Sequence, residues 1–449
     1  MDECHTHNKM STMNLSAYFL YSPNDINPEQ LVGVKILPIV NNEPIHRRPF
    51  HLALILDTSG SMEGQRMNAL CRTLHLLTDK LNCDDKLTII EYNNSGKTLA
   101  VDVVMSESGK TQIHEIIHGL VADGGTNMES AFGELYKIVQ NNTVSPIDSV
   151  FVLTDGHINN GMTSSAGLMN LLMRSLPIGT PINTLGYGAD HNARLLRDIS
   201  LRSSGSYTFA DTDEMLPTII GDITGGLASE MGRNATLMIP PGWTCMELGA
   251  STGIEVYTFG TLIADKPHWI LFKGPAGATT PQFTLTYTYN GVDFEHDITP
   301  IETQTVLVAA QRDRVHVAKT FSHVSDMIMN GRSQEALPIL TQLATDLDTS
   351  EAKDELMIVR LRAQVEEMID ILRNSLNHEN LRRQPARLNP MLSRLASDTS
   401  ALGNQRGILS NINTPHMDDP DDVNTMIFSS PIQRLTSTEM SQQYDEIMN

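Results

Sequence analysis

The stretch "LALILDTSGSMEG", residues 52–64, decides how this chain is read. An apolar run stops abruptly at Asp57 and passes into Thr58, Ser59, Gly60 and Ser61. A near-continuous apolar run suits a strand covered on both faces, as in a parallel sheet. Three more runs share its texture: "KLTIIEY" (86–92), "SVFVLTD" (149–155) and "PINTLGY" (181–187). Between them lie helical patterns. Met67, Leu70, Cys71, Leu74, Leu77 and Leu81 recur at intervals of three and four, the period of a helix with one buried stripe. Further helices are expected from near Asn127 and over residues 192–199. This alternation predicts an α/β fold with a doubly wound, mostly parallel sheet over residues 50–230. Ligands of such sheets bind beyond the carboxyl ends of the strands, and the D-T-S-G-S loop sits at one of those ends.

The texture changes around this region. Residues 231–302 carry short runs split by Gly, Pro and Asn, and "FTLTYTY" (283–289) alternates strictly, which is expected of an antiparallel strand with one wet face. Residues 1–49 hold a tail and two strand-like segments, "NLSAYFLY" and "LVGVKILPIV". These are expected to join the later strands in a β-sandwich unit that is discontinuous in sequence. Residues 303–375 read as helical, with Leu361, Val365, Met368, Ile369 and Leu372 on one face. Residues 376–449 are polar, with "MDDPDD" at 417–422, and read as a mostly disordered tail.

Composition narrows the partners. The net charge of −21 over 449 residues disfavours nucleic acid, whose backbone calls for basic patches. The same charge disfavours an anionic membrane surface. No apolar stretch approaches a membrane span, so no membrane insertion is expected. The four cysteines, Cys4, Cys71, Cys83 and Cys245, form no CxxC pair and read as reduced thiols. With no apolar segment in "MDECHTHNKM" to serve as a secretory signal, the expected location is cytoplasmic. Cys4, His5 and His7 read as part of a floppy terminus rather than as metal ligands.

Three strand ends carry oxygen-bearing side chains. Asp57, Ser59 and Ser61 share one loop; "DGGTNM" presents Thr126; "FVLTDG" presents Asp155. Such a set suits Mg²⁺, Mn²⁺ or Ca²⁺ and suits zinc poorly. Gly60 permits a tight turn between the serines. The order D-x-S-x-S, then Thr, then Asp resembles the von Willebrand factor A domain and its metal-ion-dependent adhesion site. That resemblance implies Ser59, Ser61 and Thr126 as direct ligands, and Asp57 and Asp155 as ligands acting mainly through water. It implies Mg²⁺ as the cofactor, with Mn²⁺ or Ca²⁺ as alternatives. It also implies a protein partner whose Asp or Glu fills the open coordination position. The expected function is a metal-dependent interaction scaffold or adaptor, not an enzyme; the oligomeric state is left open.

Residues 186–230 also resemble plant RING-type ubiquitin ligases that carry an A domain. No RING cluster of Cys and His zinc ligands is present in the chain, so the ligase-related alternative is a substrate-binding component. A structural protein is a second alternative. A third is a haloacid-dehalogenase-like phosphotransferase with Asp57 as nucleophile, but no lysine lies after a strand to steady its intermediate. Asp190 and His191, in "GADHNARLL", read as the cap and start of the following helix.

Overall fold

A computed structural model describes residues 13–20, 30–39, 48–141, 144–176, 180–188, 191–203, 205–248, 256–275, 278–289, 291–303, 305–377, 391 and 431–448. Along the chain come β1 (Met13–Leu20), β2 (Gln30–Pro38), β3 (His51–Asp57), α1 (Gln65–Lys80), β4 (Lys86–Tyr92), β5 (Gly96–Val104) and α2 (Glu107–His118). There follow α3 (Met128–Gln140), β6 (Ser149–Thr154), α4 (Ser165–Ser175), β7 (Ile182–Tyr187), α5 (Ala193–Arg202), β8 (Tyr207–Ala210) and α6 (Met215–Ala228). Then come β9 (Glu230–Met238), β10 (Thr244–Cys245), β11 (Val256–Ile263), β12 (His268–Gly274), β13 (Phe283–Tyr289), β14 (Val292–Ile298) and β15 (Pro300–Thr303). The last helices are α7 (Thr305–Met329), α8 (Ser333–Asp348), α9 (Leu356–Asn377) and α10 (Pro431–Met448).

The chain divides into two compact units, one of Met1–Arg47 with Ser229–Gln311 and one of Arg48–Ala228 with Arg312–Asn449. In the second, six strands form one sheet in the order β5-β4-β3-β6-β7-β8. Every neighbouring pair is parallel except β4 with β5. All residues of β3, β6 and β7 are buried, which is why their sequences are apolar without alternation. On one face, Leu52, Leu54 and Leu56 pack with Leu70, Leu74 and Leu77 of α1, Ile113 and Ile117 of α2, and Leu216 and Ile220 of α6. On the other, Ala53 and Ile55 pack with Phe132 and Leu135 of α3, Leu168 and Leu172 of α4, and Leu196 and Ile199 of α5. The odd and even residues of β3 therefore serve two different cores.

The fold class is the one read from the sequence, a doubly wound and mostly parallel sheet. Five elements between residues 48 and 228 escaped that reading: β5, β8, α2, α4 and α6. β5 is an edge strand with only Ala100 buried, and α2 buries just Gly109, Ile113 and Ile117, so neither carries a strong apolar pattern.

In the other unit the strands form two sheets, β10-β12-β2-β1-β15 and β11-β9-β13-β14. The pairs are antiparallel apart from β1 with β15. Val32, Val34 and Ile36 of β2 share a core with Leu237, Ile270, Phe272, Phe283 and Leu285. A strand from the N-terminal segment thus packs with strands more than 200 residues later in the chain.

In the helical region, α8 packs on α9. Leu340, Leu343 and Leu347 are buried on α8, and Leu361, Val365, Met368, Ile369 and Leu372 on α9. One correction concerns the C-terminal tail. Residues 431–448 form α10, which packs on α6 and α1. Met440 and Tyr444, four residues apart on α10, enter the core beside Leu216 and Ile220. The rest of the expected tail, residues 378–390 and 392–430, lies outside the described residues, as do Cys4, His5, His7 and Asp190.

Candidate metal site

Three loops meet here: two leave the carboxyl ends of the neighbouring strands β3 and β6, and the third, carrying Thr126, follows helix α2 rather than a strand as the sequence suggested. Asp57 is the last residue of β3, and its buried carboxylate accepts the Ser59 N–H through Oδ1 at 2.9 Å and the Thr154 hydroxyl through Oδ2 at 2.6 Å. The first bond folds the D-T-S turn back on itself, as short acidic side chains do at turns. The second ties it to the end of β6. Ser59 Oγ lies 3.0 Å from Ser61 Oγ. Ser61 donates to Asp155 Oδ1 at 2.6 Å.

The second loop arrives through backbone bonds. Gly60 donates its N–H to Gly124 O at 3.0 Å, and Asp123 donates to Thr58 O at 2.8 Å. Gly60 has no left-handed φ. A Cβ there would lie 3.4 Å from Gly124 O, an ordinary contact distance, so the turn does not require the glycine that the sequence reading gave it. The glycine pair before Thr126 has a clear physical reason. Gly124 has φ +75°, and a Cβ on it would meet Asn94 Nδ2 at 2.5 Å, in a region that favours glycine. A Cβ on Gly125 would meet Asn159 Oδ1 at 2.8 Å. Those two asparagines hold the loop: Asn94 accepts the Gly125 N–H and Asn159 accepts the Thr126 N–H, each at 2.9 Å. Asn127 then caps α3 by accepting the Ser130 N–H.

Gly156 marks where the loops converge. A Cβ at that position would lie 3.6 Å from Ser61 Oγ and 3.9 Å from Thr126 Oγ1. The structure therefore gathers all five expected residues: Asp57, Ser59, Ser61, Thr126 and Asp155. Of these, Asp57, Ser59, Thr126 and Asp155 are buried, and only Ser61 is exposed, so the pocket opens to solvent at Ser61.

The electrostatics of the pocket would suit a cation. Desolvation raises the Asp57 carboxyl above its ordinary value, with the nearby charge of Asp155 adding to the shift and the bonds from Thr154 and Ser59 opposing it. A buried carboxylate of this kind gains from a cation placed beside it. Among the described residues no group of three or more His, Cys, Asp or Glu side chains could hold a metal ion. An ion bound here would therefore depend on the serine and threonine hydroxyls, a hard-oxygen set suited to Mg²⁺, Mn²⁺ or Ca²⁺.

Sequence reasoning missed several supporting residues. Thr154, Asn94 and Asn159 position ligands through contacts 31 to 97 residues away, which no local pattern announces. Arg66 was missed as well; its Nη1 donates to Asp155 Oδ2 at 2.6 Å. His191 does not start the following helix, which begins at Ala193. It is buried, with Nδ1 2.6 Å from Gly188 O and Nε2 2.6 Å from the Tyr207 hydroxyl. The cap of α5 is Asn192, which accepts the Leu195 N–H.

Residues 52–157, which contain all five site residues, match the family model of the von Willebrand factor type A domain. The chain carries a von Willebrand factor type A domain. An E3 ubiquitin-protein ligase, WAV3 of Arabidopsis thaliana, is 27% identical over 116 residues, which are 25% of this chain and 16% of that protein. Inter-alpha-trypsin inhibitor heavy chain H2 of Mus musculus is 24% identical over 232 residues, 47% of this chain and 24% of that one. An uncharacterised protein of Synechocystis sp. is 27% identical over 172 residues, 37% of this chain and 38% of that protein. The chain thus spans well under half the length of these relatives.

Among solved structures, a von Willebrand factor type A protein from Catenulispora acidiphila superposes with a TM-score of 0.62 at 13% identity, covering 86% of this chain and 97% of that one. The ArnB paralog VWA2 from Sulfolobus acidocaldarius gives 0.53 at 15% identity, covering 88% and 98%. Both likenesses concern the fold. Among the described residues no helix is long and apolar enough to cross a membrane.

Proposed function

We propose that this chain is a metal-dependent protein-binding scaffold or adaptor, with the pocket between the loops after β3 and β6 and the loop joining α2 to α3 as its docking point. The observation that carries this reading is the meeting of five oxygen-bearing side chains from three loops around Gly156. Ser59, Ser61 and Thr126 would hold a divalent ion directly, and Asp57 and Asp155 directly or through water. Mg²⁺ is the expected ion, with Mn²⁺ or Ca²⁺ able to use the same oxygens. The bound ion supplies a positive charge that can take a carboxylate from outside. Opening at Ser61, the pocket offers that carboxylate, an Asp or Glu of a protein partner, a way in. One such contact gives modest affinity, so the rim must add specificity. Val121, on the loop that carries Thr126, is 69% exposed, and His157, Asn159 and Asn160 are exposed on the loop after β6.

The reading assigns no catalytic step to this pocket. A phosphotransferase nucleophile needs an accessible oxygen on Asp57, yet that residue is fully buried and both its oxygens hold hydrogen bonds. The likeness to WAV3 covers 16% of that ligase and supports the domain rather than the ligase chemistry. Among the described residues Cys71, Cys83 and Cys245 form no disulfide, which agrees with a reducing compartment.

The test is isothermal titration of the full chain with Mg²⁺ and with Mn²⁺, beside a Ser59→Ala, Ser61→Ala double variant. Binding by the parent and loss of at least tenfold in the variant, about 1.4 kcal/mol, is the expected result. Equal binding by both chains would remove the serines from the site and sink the reading.

A further inference from the structure

We infer that Arg66 is a resident cation of this pocket, holding metal affinity down in the free chain and leaving the ion-filled pocket in need of an acidic partner. The inference rests on the pocket being a divalent-cation site. Asp155 has a fully buried side chain, and its two oxygens are taken by Ser61 and by Arg66, each at 2.6 Å. The Arg66 side chain is 34% exposed, so one end of this ion pair has little water to screen it.

The guanidinium also has a built seat. Its carbon lies 5.8 Å from the centre of the Tyr187 ring, within reach of a cation–π contact. Gly188, the next residue, has φ +69°, and a Cβ there would come within 3.0 Å of Arg66 Nη2. The Tyr187 hydroxyl in turn donates to Asp213, whose carboxyl feels the Arg66 charge. The end of β6, the end of β7 and the segment before α6 thus all shape the place occupied by a side chain from the first turn of α1. Surface ion pairs rarely have such support.

The charge count gives Arg66 its role. Asp57 and Asp155 bring two negative charges, and Asp57 is held by neutral donors. With Arg66 beside them, the empty pocket carries one net negative charge. A divalent ion turns that into one net positive charge, and a partner carboxylate returns it to zero. Without Arg66 the ion alone would neutralise the two acids. The metal would then bind more tightly, and a further carboxylate would gain less. Arg66 is therefore a positioning and specificity residue acting through Asp155. Lysine is a compact point charge without the planar fork, so Arg66→Lys preserves the charge and loses the geometry.

The experiment is a Mn²⁺ titration of the full chain by calorimetry, with Arg66→Met, Arg66→Lys and Asp57→Ala variants. Far-ultraviolet circular dichroism checks that each is folded, and a thermal melt is run in chelator and in Mn²⁺. Arg66→Met is expected to bind Mn²⁺ about tenfold more tightly than the parent, with Arg66→Lys close to the parent. In chelator Arg66→Met should melt below the parent, because Asp155 loses its counter-charge, and Mn²⁺ should raise its melting temperature by more than it raises the parent's. Arg66→Met binding as tightly as the parent, or more weakly, would overturn the inference. Weaker binding would mean that Arg66 only orders Asp155. If Asp57→Ala binds as well as the parent, or if neither parent nor Arg66→Met binds, the metal site itself is wrong, and the inference falls with it.

Discussion

Asp57 is the residue on which the pocket turns, and it is kept at a cost. Burial penalises its charged form and pushes its protonation upward. The surrounding bonds show how a neutral replacement would fit. The Thr154 hydroxyl donates to Asp57 Oδ2 at 2.6 Å and lies 3.4 Å from Gly156 O. An asparagine at 57 could accept the Ser59 N–H and donate to Thr154, whose own proton could turn to Gly156 O. Asp57→Asn should therefore fold, with a stability in chelator equal to the parent or above it, within about 1 kcal/mol. It should also show no melting shift with Mg²⁺ or Mn²⁺. Paired thermal melts with and without metal check both statements. A large loss of stability in chelator would mean that the Asp57 charge is itself structural.

At the scale of elements, the α1–α2 contact carries a pH response. His75 and Asp79 lie on α1, and His114 and His118 on α2. His75 Nδ1 is 2.6 Å from His114 Nδ1, and its ring centre is 4.8 Å from that of His118. Two ring nitrogens that close need one to carry a proton and the other to lack it. Asp79 faces the cluster, 3.0 Å from His114 Nε2. Desolvation is the first cause lowering the His75 value below 6.5, the charges of His114 and His118 follow, and Asp79 opposes them. A histidine with a lowered value in the folded state binds its proton better when unfolded. The stability it supports is therefore complete above the unfolded value of about 6.5 and is lost as the pH falls through and below it. Burial lowers His51 too and adds to the same trend. Thermal melts from pH 7.5 to pH 5 should show falling stability, with a shallower fall in His75→Gln. An equal slope in that variant would place the acid sensitivity elsewhere, with His51 the next residue to test.

Across the whole molecule, the sequence is folded by distant returns. The N-terminal strand β2 lies between β1 and β12. In the α/β unit, α10 returns some 200 residues later to cover α6. Met440 and Tyr444 are fully buried there, and Lys80 of α1 forms an ion pair with Glu439. A buried aromatic or methionine cut back to alanine typically costs about 2–5 kcal/mol. Met440→Ala, Tyr444→Ala and the pair should thus lower the melting temperature by increasing amounts, read by calorimetry on the full chain. Variants within about 0.5 kcal/mol of the parent, the range usual for surface changes, would mean that α10 does not hold this unit together.

What was legible in the sequence had local causes. β3, β6 and β7 were readable because a strand buried on both faces is apolar over most of its length, and β4 because its centre, Leu87 to Ile90, is buried in the same way. The five site residues were readable because a loop concentrates its chemistry within a few positions, and because the three loops occur in a known order, although the one carrying Thr126 follows a helix and not a strand. The tertiary structure alone decided the rest. Arg66, Thr154, Asn94 and Asn159 owe their roles to partners 31 to 97 residues away, and their residue types are ordinary in any loop or helix. The same holds for α10, whose polar neighbours hide two buried side chains. Local pattern records which face of an element is apolar; it does not record which distant surface that face will meet, because that choice belongs to the packing of the whole chain.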